Sequence, residues 1–332
     1  MSTPSASLSP TSLPAPRSVG SALGRFASSN GPLMGLIVLC IILEFASGRI
    51  FLTSDNLSNV LVQASTIAVL AFGQTFVIVA AGIDLSVGSA AGITGMVAAW
   101  MFTSAGLPGG VALLGGLACG LVVGMVNGIA VAYGKLPSFI ATLAMLSVAR
   151  GLTYVISQGQ PIATPSAVSF FGKSLGPIPV PIIVLVVMGL ICAFVLNYTV
   201  IGRSMYAVGG NMEAARLAGL PVKRILVTVF ALSGLFAAVA GMIVAGRLDS
   251  AQPSGAYGYE LNSIAAVVIG GASLAGGVGR ASGTLVGALI LTVINNGLNL
   301  LNVNSFWQQV VMGLVIAIAV LIDVIRHKGL SH

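Results

Sequence analysis

Uninterrupted apolar runs decide what this chain can fold into. Residues 60–81, 111–134, 179–201, 225–246 and 281–303 carry no charged side chain. About twenty apolar residues in a helix cross roughly 30 Å of hydrocarbon, so each run is long enough to span a bilayer. Charged residues make up only 6% of the 332, against about 25% in soluble domains, and 57% are hydrophobic. The chain reads as an all-α polytopic membrane protein. Ten segments are expected, at about 32–47, 59–81, 86–104, 109–133, 138–157, 179–200, 225–246, 261–275, 281–301 and 306–324. The 43 glycines interrupt them often, and most read as packing residues that let helices approach closely in lipid.

A net charge of +7 invites a nucleic-acid reading. That reading fails, because Lys and Arg sit in short connectors and build no single basic face. With the N-terminus in the cytoplasm and alternating spans, Arg17, Arg25, Lys135, Arg203, Arg216, Lys223, Arg224, Arg280, Arg326 and Lys328 fall inside. Arg49, Arg150, Lys173 and Arg247 fall outside. This asymmetry predicts N-in and C-in. Residues 1–30 are rich in Ser, Pro and Ala and have no apolar core segment, so they read as a disordered cytoplasmic leader and neither a secretory signal nor a presequence. A transmembrane domain is expected over 31–325 and a cytoplasmic tail over 326–332. The connector at 158–178, the longest outside, reads as irregular loop.

Cys40, Cys119 and Cys192 lie in apolar runs without metal or disulfide spacing. No P-loop is present, and "GGVGRASG" at 276–283 reads as a tight turn between helices. His327 and His332 are the only histidines. No catalytic group, metal site or cofactor is expected. Buried carboxylates of the kind that couple transport to an ion gradient are nearly missing, so energy has to enter from another chain.

Three stretches remain. "GRSMYAVGGNMEAARLAGLPVKR", 202–224, interrupts the apolar pattern. Asn211 is a good N-cap, Glu213 suits the first turn, and Gly219 with Pro221 suits the end. The expectation is a short cytoplasmic helix between the sixth and seventh spans. Its alanines, Ala214 and Ala215 among them, leave a slim surface for a cytosolic partner's groove. The competing reading is an interfacial connector whose arginines meet lipid phosphates. "GIDLSVGS", 82–89, places Asp84 where an ionisable group is costly unless paired or wet. Asp84 or Ser86 is expected to cap the next helix, and contact with a solute is the alternative. At 247–280, Arg247, Asp249 and Glu260 are expected at the outer boundary, pairing with one another or docking a soluble partner. Gln74, Asn127, Asn295 and Asn296 join Asp84 and Ser86 as candidates for a path or gate. "VNG…PSF" at 126–139 and "NNG…NSF" at 295–306 hint at an internal repeat.

Six motifs, "GIDLSVGS", "FIATLAMLSVARG", "GRSMYAVGGNMEAARLAG", "SAQPSGAYGYEL", "AAVVIGGASLAGGVGR" and "NNGLNLL", resemble the permease subunit of bacterial ABC sugar importers, ribose-transporter type, over roughly 49–323. The resemblance implies a permease homodimer in the inner membrane. It also implies a separate cytosolic ATPase and a periplasmic or lipid-anchored sugar-binding protein. It makes Arg203, Gly209, Gly210, Asn211, Glu213, Ala214, Ala215, Arg216 and Gly219 a coupling surface for the ATPase. Asn262 stands where many members carry an acid, and Ala272 where Thr is common, which bears on the exact sugar and not on the class. The expected cargo is a neutral monosaccharide such as a ribose-like pentose. The alternative is an ion-coupled carrier of a small polar solute.

Overall fold

The computed structural model describes residues 31–328. The leader expected over 1–30 and the end of the tail lie outside the described residues. Helices follow in the order α1 Gly31–Ala46, α2 Ser54–Val79, α3 Val87–Thr103, α4 Gly109–Ala132, α5 Ser138–Ser157, α6 Ser166–Ser169 and α7 Val180–Tyr198. They continue with α8 Val200–Gly210, α9 Met212–Leu217, α10 Val222–Arg247, α11 Tyr259–Ile269, α12 Ala281–Leu300 and α13 Ser305–Lys328. Every one of the ten expected segments holds a helix. Among the described residues, six of them (α2, α4, α5, α7, α10 and α12) are long and apolar enough to cross a membrane. α3 and α11 are shorter because irregular backbone interrupts them, at 80–86 and 270–280. The segment expected to run to 275 stops at Ile269, since Gly271, Gly276 and Gly277 take positive φ, which no right-handed helix accommodates.

α2 and α10 form the centre. α2 touches α7, α10, α11 and α12, while α10 touches α2, α3 and α4. Phe76 and Phe236 meet between the two central helices edge to face, ring centroids 5.4 Å apart. In lipid the drive for such packing is close contact, because tails are as apolar as the side chains. The closest contact is between α4 and α10. Gly116, Gly120, Gly124 and Gly128 recur every fourth residue and so share one helix face. A Cβ at Gly120 would lie 2.5 Å from the Gly234 carbonyl oxygen, and one at Gly128 2.6 Å from Val227 Cα. At Gly124 it would strike the Phe230 carbonyl.

The connectors collect at two ends. One end joins 80–82, 133–137, α9 and 276–279. There Gly277 N–H donates to the Val79 carbonyl at 2.9 Å, and Tyr206 Oη donates to the Gly279 carbonyl at 2.7 Å. The other end joins 158–179 to 248–258. β1 (Ile162–Ala163) pairs antiparallel with β4 (Ser250–Ala251), and β2 (Ser174–Leu175) forms a hairpin with β3 (Ile178–Pro179). The 158–178 connector is therefore more ordered than its Pro and Gly predict. It buries Val168 and packs Phe171 against the end of α10, which gives the loop an apolar anchor.

Candidate functional site

At the first end, α9 is built as its residues require. Asn211 Oδ1 accepts the Ala214 N–H at 2.9 Å, capping the start. At the finish, Gly219 takes φ +83°, its N–H reaching the Arg216 carbonyl at 3.0 Å and the Leu220 N–H the Ala215 carbonyl at 3.1 Å. That pair of bonds is a Schellman ending. Arg216 Nε donates to Glu213 Oε2 at 3.0 Å, and this bond holds the exposed Glu213 carboxyl below the usual carboxylate range. Gly210, Ala214 and Arg203 are exposed, but Ala215 and Gly209 are buried. Of the slim face expected there, Ala215 therefore turns inward, onto the protein's own body, while Ala214 and Ala218 stay outward beside Met212, Glu213, Arg216 and Leu217. Gly209 presses on the Val79 carbonyl and the Gly277 N–H, leaving no room for a side chain. Residues 200–210 were not expected to be helical. α8 forms there with Thr199 Oγ1 accepting the Gly202 N–H at 3.0 Å, and the Thr was the signal to read. Beside α9 a cleft of about 500 Å³ is lined by Lys135, Pro137, Met212, Arg216, Lys223 and Phe230 among others.

Deep in the body, four of the six path candidates meet. Asp84 Oδ1 accepts from Ser86 N–H at 2.9 Å and Ser86 Oγ at 2.6 Å. Its Oδ2 accepts from Ser233 Oγ at 3.0 Å, and Asn127 Nδ2 donates to Ser86 Oγ at 2.8 Å. With its amide oriented to satisfy both groups, Gln74 bonds the Asp84 backbone N–H at 3.1 Å and carbonyl at 3.2 Å. The broken backbone is held from α5, where Ser138 Oγ accepts the Ile83 N–H at 3.1 Å and Thr142 Oγ1 the Leu85 N–H at 3.0 Å. Asp84, Ser86, Asn127 and Gln74 are at most 1% exposed. The expected cap is not made. Ser86 is the N-cap of α3 without a side-chain bond, and Asp84 bonds Ser86 itself, one position short of the helix. Ser233, Ser138 and Thr142 were missed, since nothing local marks residues that act on a distant segment.

The remaining two separate. Asn296 is buried in a reciprocal pair with Asn56 on α2. Asn295 faces a cavity of about 250 Å³ with Gln63, Arg247, Tyr259, Asn262 and Thr292. Of the boundary residues, Arg247 and Asp249 are exposed. Glu260 turns inward, its Oε2 buried without a hydrogen-bond partner against Gly88 of α3. Among the described residues no ion pair joins Arg247, Asp249 and Glu260 to one another. Arg150 instead donates to the Pro253 and Gly255 carbonyls, at 3.2 and 2.8 Å.

Apolar helices around a satisfied polar centre, with a capped helix at one end, describe a multi-pass membrane protein. Residues 56–320 match the family described as "Branched-chain amino acid transport system / permease component", and the chain belongs to it. It is 45% identical to the ribose import permease protein RbsC of Haemophilus influenzae, over 91% of this chain and 94% of that one. To the ribose import permease protein RbsC of Bacillus subtilis it is 47% identical, over 88% and 92%. To the D-allose transport system permease protein AlsC of Escherichia coli it is 38% identical, over 90% and 92%.

Proposed function

We propose that this chain is the membrane permease subunit of an ATP-driven importer and passes a neutral monosaccharide, ribose or a close relative, across the bacterial inner membrane. The carrying observation is likeness along nearly the whole chain to permeases named for ribose import, at 45–47% identity. The family description speaks of branched-chain amino acids, but the similar relatives are named for sugars. A zwitterion would call for a charge pair, and the polar cavity holds one charge, Arg247.

In this reading ten spans run N-in and C-in, and the α9 end is cytoplasmic. Lys135, Arg203, Arg216, Lys223, Arg224 and Arg280 all lie towards that end, as the positive-inside rule requires. A separate ATPase seats on the outward face of α9, since the permease itself carries no ATPase motif. A second permease copy completes the translocator. A sugar-binding protein docks at the opposite end, where Arg247 and Asp249 are exposed. Gln74, Asp84, Ser86 and Asn127 hold the broken helix beside the path.

The test is reconstitution of the permease with its ATPase and binding protein in vesicles. Expected is uptake of labelled ribose that needs ATP and the binding protein, with leucine excluded. Uptake that follows an imposed ion gradient and ignores ATP overturns the reading in favour of a secondary carrier.

A further inference from the structure

We infer that the cavity between α2, α11, α12 and the end of α10 is a vestibule that holds a neutral polyhydroxylated solute during transfer. The inference rests on the importer reading and locates where the solute is touched. Gln63, Asn262 and Asn295 bring three amides to one space from three helices, and Thr292 closes the wall with its hydroxyl donated to the Ala288 carbonyl. Each amide offers both donors and acceptors. A sugar hydroxyl needs both, so the amide wall satisfies one hydroxyl after another, and Arg247 at the mouth is the one charged side chain lining the space. Tyr259 supplies an aromatic surface for the C–H face of a ring.

Size agrees. A volume of about 250 Å³ is many times what one water needs, so the space takes a small polar solute. Position agrees as well. Arg247 is the last residue of α10 and Tyr259 the first of α11, so the mouth lies at the end that carries β1 and β4, away from α9. Asn299 Nδ2 donates to Asn295 Oδ1 at 3.2 Å, which steadies that amide at the wall. The buried centre around Asp84 does not serve this role. Its polar groups bond one another, and none of Gln74, Asp84, Ser86 and Asn127 lines this cavity.

The experiment uses the full complex in vesicles. Asn262→Ala, Asn295→Ala and Gln63→Ala are each expected to lower ribose moved per ATP hydrolysed by roughly three- to tenfold, the effect of one lost hydrogen bond. Asn262→Trp, which fills the space, is expected to stop uptake. A second measurement covers variants that assemble poorly. Asn262→Cys, in a background with Cys40, Cys119 and Cys192 replaced by Ala, is labelled with a hydrophilic maleimide in the presence of ribose, allose or xylose. Slower labelling with at least one sugar, and not with leucine, supports the vestibule. Normal ribose transport per ATP in all four variants overturns it while leaving the importer reading intact. If the unmodified complex moves no sugar, the importer reading falls, and labelling unaffected by any sugar then overturns the vestibule separately.

Discussion

Asn56 and Asn296 exchange two hydrogen bonds, at 2.9 and 3.1 Å, across 240 positions of sequence. Asn56 Nδ2 also donates to the Phe51 carbonyl at 2.8 Å, so the pair ties α2, α12 and the turn after α1 together. Removing one partner leaves a buried amide unsatisfied, whereas removing both does not. Asn296→Leu is expected to cost about 1 kcal/mol, within the range for polar pairs between membrane helices. Asn56→Leu with Asn296→Leu should cost less than the sum of the single changes. Thermal unfolding of the four proteins of this cycle in detergent checks it. Additivity removes the coupling.

Asp84 accepts three hydrogen bonds, from Ser86 N–H, Ser86 Oγ and Ser233 Oγ. Asp84→Asn keeps one oxygen for Ser86, and its amide can donate to the Ser233 hydroxyl. Stability and uptake should fall little. Asp84→Leu strands Ser86, Ser233 and, through Ser86, Asn127, and should cost about 1–3 kcal/mol. Equal damage from Asn and Leu would show that the negative charge itself is needed.

On α9 the inward and outward residues should fail in different ways. Leu217→Asp and Arg216→Glu alter the exposed face. They are expected to leave folding intact and to abolish stimulation of ATP hydrolysis by loaded binding protein. Ala215→Trp forces a large ring into a buried position and should loosen α9 itself, by roughly 1–3 kcal/mol as overpacking does. Protease sensitivity at 211–220, measured beside bound ATPase and stimulated hydrolysis, separates the two. If Leu217→Asp and Arg216→Glu both couple normally, α9 is a lipid-facing connector.

The glycine face of α4 sets a third kind of sensitivity. Gly124→Val would drive a branched side chain into the Phe230 backbone, and Gly110→Val, at an open position on the same helix, would meet nothing. The first should lower the melting temperature by several degrees, corresponding to about 1–3 kcal/mol of overpacking, and the second should not. Equal melting temperatures would mean that α4 and α10 part without cost.

The helices were legible because hydropathy needs only local information, and the ends of α9 because Asn211 and Gly219 have strong preferences of their own. Asp84 announced itself by being an acid among apolar residues. Ser233 did not, because a serine in an apolar run is ordinary until its partner, 149 positions away, is known. Ala215 was misjudged because a helix of six residues is too short to display a periodic face. Glu260 looked like a surface acid in sequence, and it turns inward because Gly88, far away on α3, leaves it the space.

Val79 ends α2, and its carbonyl lies against Gly209 and accepts from Gly277. No side chain separates these backbones, so a displacement of α8 would meet the end of α2 with no rotamer there to swing aside. Five residues further along the chain lies Asp84, where the helix is already broken and the next one begins. The contact joins backbone to backbone, up to a break that hydrogen bonds from α5 and α10 hold in place.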